Sequence, residues 1–202
     1  MTKQIKNSPK VLGLDISTKT IGWALFDIQS QELLELTHIS PRPKMGKDED
    51  DKLKELILKS EIFGEKLKEY LNLGIVKVVI EEPLLNSNNI YTIQTLLRFN
   101  SFVFKEVYTI LGIVPEFIST YNSRKFAWPD LVKENDKGKH VLFGGLPKDI
   151  DKKMLIWEKV AKREPQISWH YTKNNTLKKE NFDQTDAYTC ALGYMRSKEI
   201  WK

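Results

Sequence analysis

Val11-Leu12-Gly13-Leu14-Asp15-Ile16 is an apolar run interrupted by a single acid. Its length and composition read as a buried strand. Ser17 to Thr20 make a short polar turn, and a second strand, Ile21 to Ile28, follows at once. Gln29-Ser30-Gln31 is a connection of hairpin length leading to a third strand, Glu32 to Ile39. Three strands in immediate succession predict an antiparallel meander.

Past a polar loop, Pro41 to Asp51, the apolar period changes. Lys52 to Leu71 fits a helix with Leu53, Leu56, Ile57, Phe63, Leu67, Tyr70 and Leu71 on one face. Ile75 to Ile80 is a strand by its β-branched content, stopped near Pro83. Asn89 to Leu111 fits a second long helix, and Ile113 to Ser119 a fifth strand. The order strand, helix, strand, helix, strand implies parallel pairing through crossovers. The expected fold class is therefore α/β: a five-stranded mixed sheet, three antiparallel strands continued by two parallel ones, flanked by helices. Trp128 to Pro147 shows no period and reads as an inserted loop with a small hairpin around Asp136-Lys137-Gly138. Asp149 to Arg163 and Asp183 to Lys198 read as helices.

The 202 residues, 41% hydrophobic and 29% charged, suffice for one core and predict one domain over residues 1–202. No apolar run approaches ~18 residues, so no membrane span is expected. Met1 to Lys10 is polar and lacks the apolar stretch of a secretory signal. The lone cysteine, Cys190, excludes a disulfide framework and a multi-cysteine zinc site. It reads as a small core residue in a reducing, cytoplasmic setting. The net charge of +5 favours an anionic partner.

Four carboxylates carry the chemistry. Asp15 lies between Leu14 and Ile16, where an ionised group is costly unless it is paired, hydrogen-bonded or metal-bound. The alternative is a solvated strand end. Glu81-Glu82 closes the fourth strand, where α/β sheets gather ligands, and alternation allows only one of the pair to face a given neighbour. The alternative is a pair of acids ending a strand before Pro83. Asp183 and Asp186, three apart, can converge on one helix face. Asp183 as a helix N-cap is the competing reading. Such a set suits Mg²⁺ or Mn²⁺, hard ions that take oxygen ligands.

Gly13-Leu14-Asp15-Ile16-Ser17, followed by Ile21-Gly22-Trp23-Ala24-Leu25, resembles the opening motif of RuvC-like Holliday junction resolvases. Val79-Ile80-Glu81-Glu82 resembles their second motif, with Glu81 at the catalytic position, and Asp183-Gln184-Thr185-Asp186-Ala187 their last. The resemblance implies an RNase H-like fold. It also implies a two-metal endonuclease that cleaves branched DNA, with Asp15, Glu81, Asp183 and Asp186 holding two Mg²⁺ ions. Mn²⁺ would substitute. The family also uses basic residues after the fifth strand. Arg124 and Lys125 match that place, followed by Lys152 and Lys153 at the start of the next helix, with Lys148 between. The loop from Ala127 to Lys148 is longer than that of the bacterial enzymes and points to a viral or phage-type relative, acting in the host-cell cytoplasm.

Between Arg124 and Lys179 there are fourteen basic residues against seven acidic ones, the composition of a nucleic-acid face. Trp128, Trp157, Trp169 and Tyr171 interleave them and would either stack on unpaired bases or pack internally. His140 and His170 lack metal-ligand spacing. An actin-like ATPase or kinase fragment would need a second domain and a Gly-rich motif, and a non-catalytic binding module would have no need of all four acids. The Asn89 to Leu111 helix carries apolar residues over roughly half its circumference, more than one core contact requires. That excess, and the family resemblance, predict a homodimer.

Overall fold

The computed structural model describes residues 8–43, 49–83, 89–147 and 149–201. Strands β1 (Lys10–Ile16), β2 (Ile21–Asp27), β3 (Glu32–Ile39), β4 (Ile75–Glu81) and β5 (Glu116–Ile118) form one sheet in the order β3-β2-β1-β4-β5. β2 pairs antiparallel with both β1 and β3, whereas β4 runs parallel to β1 and β5 to β4. This is the mixed sheet that the succession of periods predicts. β1 begins one residue early, at Lys10, whose buried ammonium donates to the Ser8 carbonyl at 2.9 Å and lies 3.8 Å from Asp27.

Side-chain alternation along β1 divides the core. Leu12, Leu14 and Ile16 face one way, with Trp23, Leu25, Val78 and Ile80, and are covered by helices α1 (Glu49–Lys68) and α2 (Ile90–Leu111). Leu56, Phe63 and Leu67 of α1, and Phe99, Val103 and Val107 of α2, seal that side. Leu53, Ile57 and Leu71, expected on the buried face of the first helix, are exposed instead. Among the described residues of α1, the stripe of Leu56, Phe63 and Leu67 packs into the core on this side of the sheet.

Val11, Ala24, Phe26 and Val79 face the other way, beneath helices α3 (Thr120–Ala127), α4 (Lys152–Arg163) and α5 (Glu180–Ser197). Several boundaries correct the sequence reading. β5 has three residues rather than seven, because Pro115 has no N–H to donate to a ladder and Ile113 and Val114 lie outside it. α3 forms where only a basic segment was expected. Ser119 caps it, its hydroxyl accepting from Asn122 N–H. Asp151 caps α4, accepting from the N–H groups of Lys153 and Met154 at 2.9 and 3.1 Å. α5 begins three residues before Asp183, with Lys179 at the cap position and no side-chain cap, so the N-cap reading of Asp183 is overturned. Strands β6 (Val132–Glu134) and β7 (His140–Leu142) pair as the hairpin expected around Asp136-Lys137-Gly138.

Candidate active site

Asp15 and Glu81 stand at the C-terminal ends of neighbouring parallel strands, where open α/β sheets collect ligands. Alternation puts Asp15 on the same face as Val11 and Gly13, and Glu81 on the same face as Val79. Both acids therefore turn towards α5. Glu82 points the other way and is exposed.

Two glycines bring α5 down onto this face. A Cβ on Gly13 would lie 2.4 Å from the Ala187 carbonyl oxygen, and one on Gly22 2.0 Å from that of Asp183. Only hydrogen fits at either position. Gly22 is also the cross-strand partner of Asp15. The first turns of α5 are thus seated beside Asp15, and Asp183 and Asp186 arrive at the strand ends with them. In the sequence, Gly13 and Gly22 stand out only as letters of the opening motif. Glycine inside a strand already signals close backbone approach.

The four carboxylates act on one another. Burial raises Asp15 well above the ordinary carboxylate range, and Glu81, Asp186 and Asp183 push it further. Burial and then Asp186 raise Glu81 to about 7. Asp183 is pushed up to about 6, chiefly by burial, with Lys153 opposing and Asp186 adding.

Polar neighbours hold three of the acids in place. The Thr120 hydroxyl, at the start of α3, donates to Glu81 Oε1. The Thr20 hydroxyl hydrogen-bonds the Asp183 carboxylate. Arg124 donates to Asp186 Oδ1 at 3.1 Å, and the Lys153 ammonium stands 3.6 Å from Asp186 Oδ2. Arg124 and Asp186 have side chains only 14% and 9% exposed, whereas Lys153 is 54% exposed. Nothing in the local sequence marks Thr20 or Thr120 as partners, since their acids are distant in the chain. The β1–β2 turn is itself braced: Ser17 Oγ donates to the Thr20 carbonyl, and Lys59 reaches from α1 to the Thr18 carbonyl at 3.0 Å.

The basic residues divide. Arg124 and Lys153 join the carboxylates. The Lys125 ammonium lies over the Phe126 ring at 5.6 Å, and that of Lys152 over the Phe143 ring at 5.5 Å. Neither meets the acids, and Lys148 lies outside the described residues. The tryptophans pack internally. Trp128 is buried, donates to Thr189 and stacks on Tyr188, while Trp157 meets Trp169 edge-on. Of the four interleaved aromatics only Tyr171 is exposed. Cys190 is a buried core residue, as expected.

Among the described residues, no three carboxylate, imidazole or thiolate groups are gathered around one point as a finished metal cage. Asp186 is turned instead onto Arg124 and Lys153. The donor set nevertheless fits a hard divalent cation. It consists of carboxylate oxygens alone, and the burial and mutual repulsion that raise Asp15 and Glu81 are what a cation would relieve.

No protein-family model matches the chain, and no curated protein matches it by sequence. Among solved structures, the chain is similar to Thermus thermophilus RuvC bound to a Holliday junction substrate, at 11% identity and a TM-score of 0.59 over 95% of each chain. Another structure of Thermus thermophilus RuvC gives 13% identity and a TM-score of 0.58, covering 95% of this chain and 96% of that one. The yeast mitochondrial Holliday junction resolvase gives 11% and 0.59, over 97% of this chain and 81% of that one. In sheet order, helix placement and extent, this chain has the RuvC-type, RNase H-like fold.

Proposed function

We propose that the protein is a Mg²⁺-dependent, structure-selective endonuclease that cleaves branched DNA and resolves Holliday junctions. The observation that carries this reading is the convergence of Asp15, Glu81, Asp183 and Asp186 at the strand ends, with Arg124 and Lys153 beside them. The shared fold with two resolvases supports it.

Asp15, Glu81, Asp183 and Asp186 would hold two Mg²⁺ ions, or Mn²⁺ in their place. Bound there, the metal supplies Lewis acidity and an activated water for phosphodiester hydrolysis without a covalent enzyme intermediate. The chain's own groups do the rest. Thr120 and Thr20 fix the orientation of Glu81 and Asp183. Arg124, locked against Asp186, contributes fixed positive charge at the edge of the site. Lys153, exposed and at the first turn of α4, can leave Asp186 for a phosphate oxygen. Lys125 and Lys152 lie further out, where they would grip the backbone.

Two further elements belong to this reading. The protein acts as a homodimer through the outer face of α2, so that paired cuts are made by two sites. It works in the cytoplasm, or in that of a host cell. Among the described residues, no helix is long and apolar enough to cross a membrane.

The test incubates purified protein with labelled four-way junction, fork and linear duplex, in Mg²⁺ or EDTA. Paired, Mg²⁺-dependent cuts in the junction are expected. Junction binding without cleavage, in Mg²⁺ as in EDTA, would favour a non-catalytic binding module instead.

A further inference from the structure

Beside the carboxylates lies a cleft of about 820 Å³ that shares Thr20 with the site described above but is lined by none of its four carboxylates. Its walls are the β1–β2 turn, the chain that follows β3, one side of α1, and the segment leading into α5. A smaller cleft of about 460 Å³ shares Lys19, Thr20 and Lys179 with it and reaches Lys153 and Asp183. The two therefore make one groove running from α1 to the carboxylates.

Its charge is lopsided. Lys19, Arg42, Lys59, Lys178 and Lys179 line the larger cleft against two acids, Glu55 and Glu180. Lys59 is already engaged, 2.6 Å from Glu55 and bonded to the Thr18 carbonyl. The other four are exposed and make no ion pair among the described residues. They come from three separate stretches of chain, so the fold, not a basic run, concentrates them. Among the described residues, no aromatic ring lines the larger cleft, so it offers no platform for a base, whereas Phe182 lines the smaller cleft next to Asp183. Cations without aromatics suit phosphates, which are read by charge and not by sequence.

We infer that this groove carries the sugar–phosphate backbone of the DNA strand that leads into the carboxylate site, its larger cleft gripping the strand through its phosphates alone. The inference rests on the nuclease reading above. It adds a contact surface from Lys19, Arg42, Lys178 and Lys179, on the α1 side of the site and away from Arg124 and Lys125.

The test uses the full chain in EDTA, with binding to a four-way junction followed by fluorescence anisotropy from 50 to 300 mM KCl. The variant Arg42→Ala with Lys178→Ala should bind roughly ten- to a hundredfold more weakly near 0.1 M salt. Its slope of log K against log salt should be flatter by about 1–2. The loss should be equal for junctions of different sequence. Because both side chains are exposed and unpaired, the melting midpoint should match wild type, and Lys19→Gln with Lys178→Gln supplies a second pair. A folded variant with unchanged slope and affinity overturns the groove, even where wild type binds and cuts. Wild type that neither binds nor cuts junctions overturns the nuclease reading on which the groove depends.

Discussion

Glu81 and Glu82 are adjacent and chemically equivalent, yet one is half-buried among carboxylates and the other is exposed. Strand alternation alone makes that difference, so Glu81→Gln should abolish Mg²⁺-dependent cleavage while Glu82→Gln keeps most of it. A gel assay on a labelled junction decides, and the opposite ranking would mean the register is shifted by one. Asp15→Asn and Asp186→Asn should likewise lose cleavage while binding junctions as well as wild type or better, because each removes negative charge facing phosphate. Thr120→Val takes the hydroxyl from Glu81 without changing its charge. It should weaken metal affinity or activity about 10–100-fold, and Thr120→Ser should recover it. The raised acids also link pH to folding. Glu81, at about 7, and Asp183, at about 6, hold protons in the folded chain that the unfolded chain has released. Their stabilising contribution is complete below the ordinary carboxylate range and is lost as pH rises through 6 and 7. In EDTA the melting midpoint of wild type should therefore fall relative to that of Glu81→Gln between pH 5 and 8. Mg²⁺ should restore it most at pH 8. A wild-type midpoint that gains on the variant as pH rises would contradict the assignment.

Helix α5 decides whether these residues meet at all, and its docking depends on Gly13 and Gly22. At Gly22 the obstacle to a Cβ is the backbone of Asp183, which cannot swing aside. Gly22→Ala should cost at least the ~1–3 kcal/mol of an overpacked core, read as a lower urea midpoint. Gly64, inside α1, is the contrasting case. A Cβ there meets the end of the flexible Glu106 side chain at 2.7 Å, and alanine favours the helix by roughly 0.5–1 kcal/mol. Gly64→Ala should be neutral or stabilising. The same elements show what a sequence makes legible. Periodicity fixed β1 to β4 and α2 because each is long enough to display a period, and the carboxylates stood out by breaking it. α3 escaped because eight mostly polar residues, Thr120 to Ala127, carry no apolar stripe. The start of α5 escaped because Lys179 offers no capping side chain. The partners of the acids escaped for another reason: Thr120 with Glu81, and Arg124 with Asp186, are joined by topology and not by spacing.

Assembly is where the outer surface of α2 matters. Its inner stripe, Phe99, Val103 and Val107, is consumed by the sheet, while Ile90, Tyr91, Leu97 and Tyr108 remain exposed. Leu97 and Phe104 line an apolar groove of about 350 Å³ with Pro83 and Phe117, and the Phe104 and Phe117 rings lie stacked at 6.1 Å. Within that groove the Asn100 side-chain oxygen is buried and has no hydrogen-bond partner among the described residues. Such a surface favours cover, and in the proposed dimer a second copy would supply it by two-fold symmetry. The symmetry has a functional consequence. Glu82, on the rim of the groove, is the next residue after Glu81, so dimerisation here would fix the separation of two carboxylate sites to match a four-way junction. Sedimentation of wild type at micromolar concentration should give a dimer. Leu97→Glu with Phe117→Glu should give a folded monomer, since both side chains are already exposed, and charge in a desolvated apolar contact is costly. That monomer should still nick a junction, because it retains every carboxylate, but its two cuts should become uncoupled in time. A monomeric mass for wild type both free and on a junction would defeat the dimer. A monomer that pairs only on DNA would leave assembly on the substrate as the surviving form.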